Sequence, residues 1–217
     1  MKKGITLALT IILLFSLSLK GQNREHLVGI RWGYNISNVT FDPVKEHTAI
    51  KSTKNYSVLY TYYHDIWGAS PYFGFQTGLS FWQTGYKSGN IEEQTDLISL
   101  PLVSQFHLDF WKLRVLLNLG GYGGYRLNKT VYDLSGTGDA AGVTGFDDLD
   151  NRIEFGIIAG GGFAVVLKPV ELQFEANYNY SLSYLYNPRK LNETVPQYTY
   201  PNQLIFSVSL MYHIKQR

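Results

Sequence analysis

Between Val170 and Tyr184, apolar and polar residues alternate without a break. Val170, Leu172, Phe174, Ala176, Tyr178, Tyr180, Leu182 and Tyr184 take one face. Glu171, Gln173, Glu175, Asn177, Asn179, Ser181 and Ser183 take the other. Successive side chains of a strand leave opposite faces, so a period of two predicts a β-strand. Seven more segments carry strand-like alternation. In Val28–Ser37, Val28, Ile30, Trp32, Tyr34 and Ile36 oppose Gly29, Arg31, Gly33, Asn35 and Ser37. Tyr56–His64 is tyrosine-rich and does not declare its faces. Tyr72–Tyr86 sets Phe73, Phe75, Leu79 and Phe81 against Gly74, Gln76, Gly78 and Ser80. Ile98–Phe110 sets Ile98, Leu100, Leu102, Phe106, Leu108 and Phe110 against Ser99, Gln105, His107 and Asp109. Leu113–Leu127 opposes Leu113, Val115, Leu117 and Leu119 to Arg114, Asn118 and Gly120. Arg152–Leu167 and Leu204–Ile214 complete the set. Pro101 lacks the N–H of a ladder rung, so a bulge or irregular rung is expected there.

The connections differ in length. Asp65–Pro71, Phe110–Lys112 and Lys168–Pro169 read as tight turns. Asn38–Asn55, Lys87–Asp96, Asn128–Asn151 and Asn187–Asn202 read as long polar loops, the third rich in Gly and Asp. Short turns at one end and long loops at the other predict an all-β, eight-stranded antiparallel up-and-down transmembrane β-barrel, with short periplasmic turns and long extracellular loops.

Which face lies inside follows from space. Eight strands leave an interior only wide enough for side chains. The Gly, Ser, Asn and Gln face fits that interior; the Phe, Leu, Ile and Tyr face from every strand does not. Charges on the inner face must then pair, because a stranded charge costs several kcal/mol. Arg31, Arg114, Arg126 and Arg152 are expected to pair with Asp109, Glu154, Glu171 and Glu175 in a polar network filling the lumen. Tyrosine and tryptophan favour the headgroup level of a membrane. Tyr178, Tyr180, Tyr184, Tyr186, Trp32, Tyr34 and Tyr125 are placed toward the loop end, and Trp67 and Trp111 at the turns.

Composition narrows the picture. Charged residues are 17% of the 217, aromatic residues 15%, and the formal charge is +2. This is too balanced for a nucleic-acid partner. The chain has no cysteine, which removes disulfides, thiolate metal sites and thiol nucleophiles. Lys2 and Lys3 precede an apolar run from Ile5 to Leu19, with a plausible cut after Gly21 or Gln22. Residues 1–22 are therefore expected to be an export signal peptide and residues 23–217 the barrel, destined for the outer membrane.

The segments "GIRWGYNISN", "PYFGFQTGLSFWQTGYKSG", "LISLPLVSQFHL", "LNLGGYGGYRLN", "FGIIAGGGFAV" and "LQFEANYNYSLS" resemble the PorT-like outer-membrane β-barrel proteins across the mature chain. The resemblance is architectural. It implies outer-membrane lipid as surroundings and the barrel-assembly machinery as a partner during insertion. Such barrels usually end on an aromatic residue read by that machinery; here Tyr212 or Ile214 would have to serve, since the chain ends "MYHIKQR".

No catalytic grouping emerges, and neither a cofactor nor a metal is expected. His107 and Asp109 share a face, but an acid–base pair needs a nucleophile beside it. Ser104 faces outward without a histidine on its face of the strand, which disfavours a lipid-modifying hydrolase. "GGYGG" and "GIIAGGG" lack the Lys-Ser/Thr of a phosphate loop and are expected to make room for neighbours such as Tyr122. Asp147, Asp148 and Asp150 lack calcium-loop spacing. The remaining expectation is a structural or interaction barrel with a largely plugged lumen, offering its loops to a protein partner. A narrow pore or a lipid hydrolase is the alternative.

Overall fold

The computed structural model describes residues 24–64, 72–135, 142–188 and 197–214. The expected signal peptide, the turn Asp65–Pro71 with Trp67, and parts of two long connections lie outside the described residues. The described chain is an antiparallel up-and-down sheet of ten strands. They are β1 (Arg24–Asp42), β2 (Thr48–Ser52), β3 (Asn55–His64), β4 (Tyr72–Ser88), β5 (Ile91–Phe110), β6 (Leu113–Asp133), β7 (Gly142–Thr144), β8 (Ile153–Leu167), β9 (Val170–Ser181) and β10 (Tyr198–Ile214).

Each long strand pairs with its neighbour in sequence, from β3–β4 through β5, β6, β8 and β9 to β10. β1 pairs with β3 on one edge, from Arg24↔His64 to Trp32↔Tyr56. Its other edge runs along β10 from His26↔Ile214 to Asp42↔Tyr198. The two strands beyond the expected eight are short and lie in the long connections. β2 sits between β1 and β4, as β3 does, and β7 pairs with β6 beyond the end of β8. The β4–β5 ladder stops at Thr77↔Leu102 and resumes at Ser80↔Ser99, so the irregular rungs fall on Pro101.

The strands run further than the alternation suggested. Lys87–Asp96 is a continuous hairpin, with Lys87↔Glu92 and Ser88↔Ile91 closing on Gly89, whose φ is 56°. A residue without Cβ adopts that left-handed backbone freely. This corrects the expected loop: the hairpin is polar on both faces here, which erased the alternation. β1 likewise continues to Asp42 and β6 to Asp133. In the other direction, β9 ends at Ser181, short of Tyr184. At the opposite end β5 and β6 join through Trp111, a non-glycine residue at φ 58° whose side chain is exposed.

The faces follow the spacing. Ile30, Leu79, Leu117, Leu119 and Leu210 are all more than half exposed, while Asn35, Ser37, Gln105, Gln173 and Ser209 are fully enclosed. The enclosed face of β8 is lined largely by small residues, Gly156, Gly160, Gly162 and Ala164. A Cβ at Gly156 would sit 2.8 Å from Cε1 of Tyr122, and one at Gly160 would strike the Asn177 amide. Glycine thus leaves space through which longer side chains reach across the interior.

Candidate functional site: tiers of ion pairs in the interior

The charged residues of the enclosed face meet in four tiers. At the short-turn end Arg114, directly opposite Asp109 in the β5–β6 register, donates to its carboxylate through Nε at 2.8 Å and Nη2 at 3.0 Å. The same guanidinium donates to Glu171 at 3.1 Å and to Glu25 at 3.0 Å, and lies 4.7 Å from the centre of the Tyr63 ring. It reaches Glu171 of β9 over Ala164 of the intervening β8. His107 contacts Asp109 at 2.8 Å and His213 contacts Glu171 at 3.1 Å. Lys168 donates to Glu25 at 2.8 Å.

The middle tier joins Arg31 of β1 to Glu175 of β9 across β10, which presents Ser207 and Ser209 between them. Arg31 also donates to Gln76 at 2.8 Å and Ser209 at 3.0 Å. Asn118 donates to Glu175 at 2.6 Å and Gln105 donates to it at 3.2 Å, so with Arg31 this carboxylate is held from three sides.

In the third tier Arg126 and Glu154 are each 1% exposed. Nη2 and Nε of Arg126 donate to Oε2 of Glu154 at 2.7 and 3.0 Å, and the Tyr122 hydroxyl donates to Oε1 at 2.9 Å. Nη1 turns to the chain beyond the strands, donating to the carbonyls of Asn151, Tyr184 and Leu185. Trp82, Leu97, Val103, Tyr122 and Ile158 form an apolar cluster in the same interior. The fourth tier is at the loop end: Lys129 donates to Asp150 at 2.8 Å and lies 3.5 Å from Glu93, which accepts from Tyr186. Burial lifts the Glu93 carboxyl above its ordinary range, against the pull of the Tyr186 hydroxyl and of Lys129. Burial and the Glu93 charge push the Tyr86 phenol to about 12.

Of the residues singled out from sequence, Arg31, Asp109, Arg114, Arg126, Glu154, Glu171 and Glu175 come together in these tiers, Asp109 at the partly open mouth. Arg152 does not, which corrects its assignment. It stands just ahead of β8, exposed, donating to the Tyr125 hydroxyl at 3.3 Å with its guanidinium 4.5 Å from the Phe146 ring. Its position follows the alternation and its carbonyl accepts from the Arg126 N–H at 2.8 Å, but β8 begins only at Ile153 and the Arg152 side chain is turned outward. Tyr186, expected with the outward tyrosines, turns inward over the mouth, hydrogen-bonded to Tyr86 at 2.9 Å. Tyr180, Tyr184, Tyr198 and Tyr200 make the aromatic wall at that end, with ring centroids 5.1 to 6.1 Å apart.

Glu25, Glu93 and Lys129 were missed. Extending the two-residue alternation along β1 and β5 places Glu25 and Glu93 on the enclosed face, whereas Lys129 is out of step with Arg126 and is turned inward by the irregularity between β5 and β6 at Asp96 and Leu97. Asp150 and Tyr186 lie outside the strands, where no periodicity marks them. The Asp150 carboxylate is committed to Lys129 and to the Asp147 N–H at 2.7 Å. Among the described residues no cluster of His, Cys, Asp and Glu is arranged to hold a metal ion. Ser104 stands between Phe75 and Leu119 on the outward face.

An up-and-down antiparallel sheet with an apolar outside and an ion-paired inside is the architecture of outer-membrane barrel proteins. The sequence places this chain there directly: over residues 7–213 it matches the outer membrane protein beta-barrel domain, and it belongs to that family. Similar solved structures include Neisserial surface protein A, at 14% identity, covering 88% of this chain and 98% of that one, with a TM-score of 0.41. The N-terminal beta-barrel domain of Pseudomonas aeruginosa OprF gives 9% identity, coverages of 88% and 100%, and a TM-score of 0.40. A major outer membrane protein from Thermus thermophilus gives 8%, 86% and 99%, and 0.45. None of the curated proteins matches the chain.

Proposed function

We propose that this chain is an exported, integral outer-membrane barrel of the PorT-like kind, with a structural or interaction role and no catalytic one. In this reading residues 1–22 are the removed signal peptide. β2 continues the lane of β3, β7 that of β8, and the β1–β10 ladder closes eight lanes into a ring. The observation that carries the plugged interior is the stack of four ion-paired tiers. The cavity among Arg31, Trp82, Asn118 and Asn179 amounts to only about 30 Å³, room for a water or two and not for a solute path. Strand residues gain about 2.5 Å of height each, from a 3.3 Å rise at roughly 40° tilt. Glu93, near the loop end of β5 and 17 residues above Phe110 (110 − 93 = 17), then stands roughly 40 Å up, well clear of an apolar band about 25 Å tall. Those projecting hairpins are the surface offered to a partner.

Fractionation and planar-bilayer recording test this together. The protein should require detergent for extraction and show no steady conductance. Recovery in the soluble periplasm would remove the membrane assignment, and steady single-channel steps would favour the narrow pore. A cross-linked protein captured at Asn128–Asn151 would identify the partner.

A further inference from the structure

We propose that a dent in the outward wall of the barrel binds one lipid acyl chain. The proposal rests on the membrane reading above. Four neighbouring strands present two successive outward rows here. The lower row is Phe163, Phe174, Val208 and Trp32, paired strand to strand. The upper row is Gly161, Ala176, Phe206 and Tyr34, so the wall drops away where Gly161 meets Ala176. The dent encloses about 400 Å³. Phe163 and Phe174 stack at 5.2 Å and 25° to make one flat side, and Phe206, Trp32 and Tyr34 make another. Glu175 and Ser207, whose backbones pass beneath, turn their side chains to the interior.

Depth and shape select the occupant. Gly161 stands six residues from Leu167 and Ala176 six from Val170 (167 − 161 and 176 − 170), about 15 Å above the turns at 2.5 Å each. That is near the middle of the apolar band, where hydrocarbon is the surrounding medium. An unfilled hollow forfeits dispersion contacts along its whole lining, and a flexible unbranched chain can follow an irregular hollow. A second copy of this chain fits poorly: a two-fold pairing through this face would set dent against dent and leave the space unfilled.

The test is native mass spectrometry of the detergent-purified mature protein titrated with dioleoylphosphatidylethanolamine. Ala176→Phe fills the dent, Ala176→Leu is the milder filling should the first fail the heat-modified gel shift, and Leu210→Phe enlarges the belt elsewhere. Wild type and Leu210→Phe should retain one lipid, and the filled variant should bind at least tenfold more weakly. Equal retention by all of them would overturn the proposal, as would a dimer abolished by Ala176→Phe, which would give the face to a second copy. Failure of every form to float with vesicles would remove the membrane reading instead, and the proposal with it.

Discussion

Removing Glu154 should be among the most damaging single changes in the interior, and removing Arg126 with it should restore part of the loss. Both groups are almost wholly enclosed and share two hydrogen bonds, at 2.7 and 3.0 Å. Breaking a buried pair by deleting one partner costs about 3–5 kcal/mol, because an uncompensated charge stays behind. In Glu154→Leu, Nη1 of Arg126 keeps its backbone carbonyls, which points to the lower end, about 3 kcal/mol. The Tyr122 hydroxyl also loses its acceptor, adding about 1 kcal/mol, for roughly 4 in all. In Arg126→Met/Glu154→Leu neither charge is present, and the remaining cost is the lost donation to those carbonyls together with the lost acceptor of the Tyr122 hydroxyl, about 2–3 kcal/mol. Urea unfolding in phospholipid vesicles, followed by tryptophan fluorescence and gel mobility, measures the four corners of the cycle. A coupling above about 2 kcal/mol is expected. If the two single changes add to the double within about 0.5 kcal/mol, the pair does not hold the interior together and the reasoning fails.

Other outcomes follow from neighbouring residues. Arg114→Met removes the partner shared by Asp109, Glu171 and Glu25 and should cost about 3–5 kcal/mol in the same assay, whereas Lys168→Ala, whose ammonium is largely solvent-exposed, should cost under about 0.5. Gly78→Ala drives a Cβ into the Val58 backbone and should sharply reduce the folded fraction on heat-modified gels; Gly123→Ala, with nothing within 4 Å, should fold like wild type. Glu93 gives a pH dependence of unusual sign. Its folded-state pKa is raised by burial, so the folded state takes up the proton more readily than the unfolded one. The ionised carboxylate is therefore a penalty at neutral pH, relieved as pH falls through the folded-state value toward the ordinary 4.5. Unfolding midpoints of wild type should rise relative to Glu93→Gln between pH 7 and pH 4; a fall would contradict that sign.

Legibility in the sequence tracked the medium around each strand. Where one face meets an apolar band and the other a polar interior, as in Leu113–Leu119, period two was unambiguous, and the residues that meet in the ion pairs were assigned to the correct face. Above that band the outer face turns polar as well. Glu92, Glu93 and Gln94 then read as loop although all three pair with β6. Side chains that come from outside the strands, such as Asp150 and Tyr186, owe their positions to chain reversals that carry no periodic signal. Arg152 shows the converse error, a residue in step with the alternation but one position ahead of β8, with its side chain turned outward.

Alternation also leaves one ambiguity that the ion pairs resolve. A slip of one residue between strands would turn every apolar side chain inward and is excluded by the faces alone. A slip of two residues keeps both faces intact, and an outer wall of Leu, Ile, Val and Phe in contact with hydrocarbon distinguishes the two registers weakly. The inward side does distinguish them. Glu154 faces Gly124, with Arg126 two residues along, and a two-residue slip between β6 and β8 that set it opposite Tyr122 would carry it about 6–7 Å further from Arg126, beyond hydrogen-bond reach. The same slip between β5 and β6 would part Arg114 from Asp109, which face each other directly. A slip between β6 and β8 in either direction would also bring Tyr122 against residues other than Gly156, where space was left for it. Arginine and glutamate in an enclosed interior therefore add little net stability over an apolar filling. What they supply is a register, which the apolar face of a membrane strand cannot specify by itself.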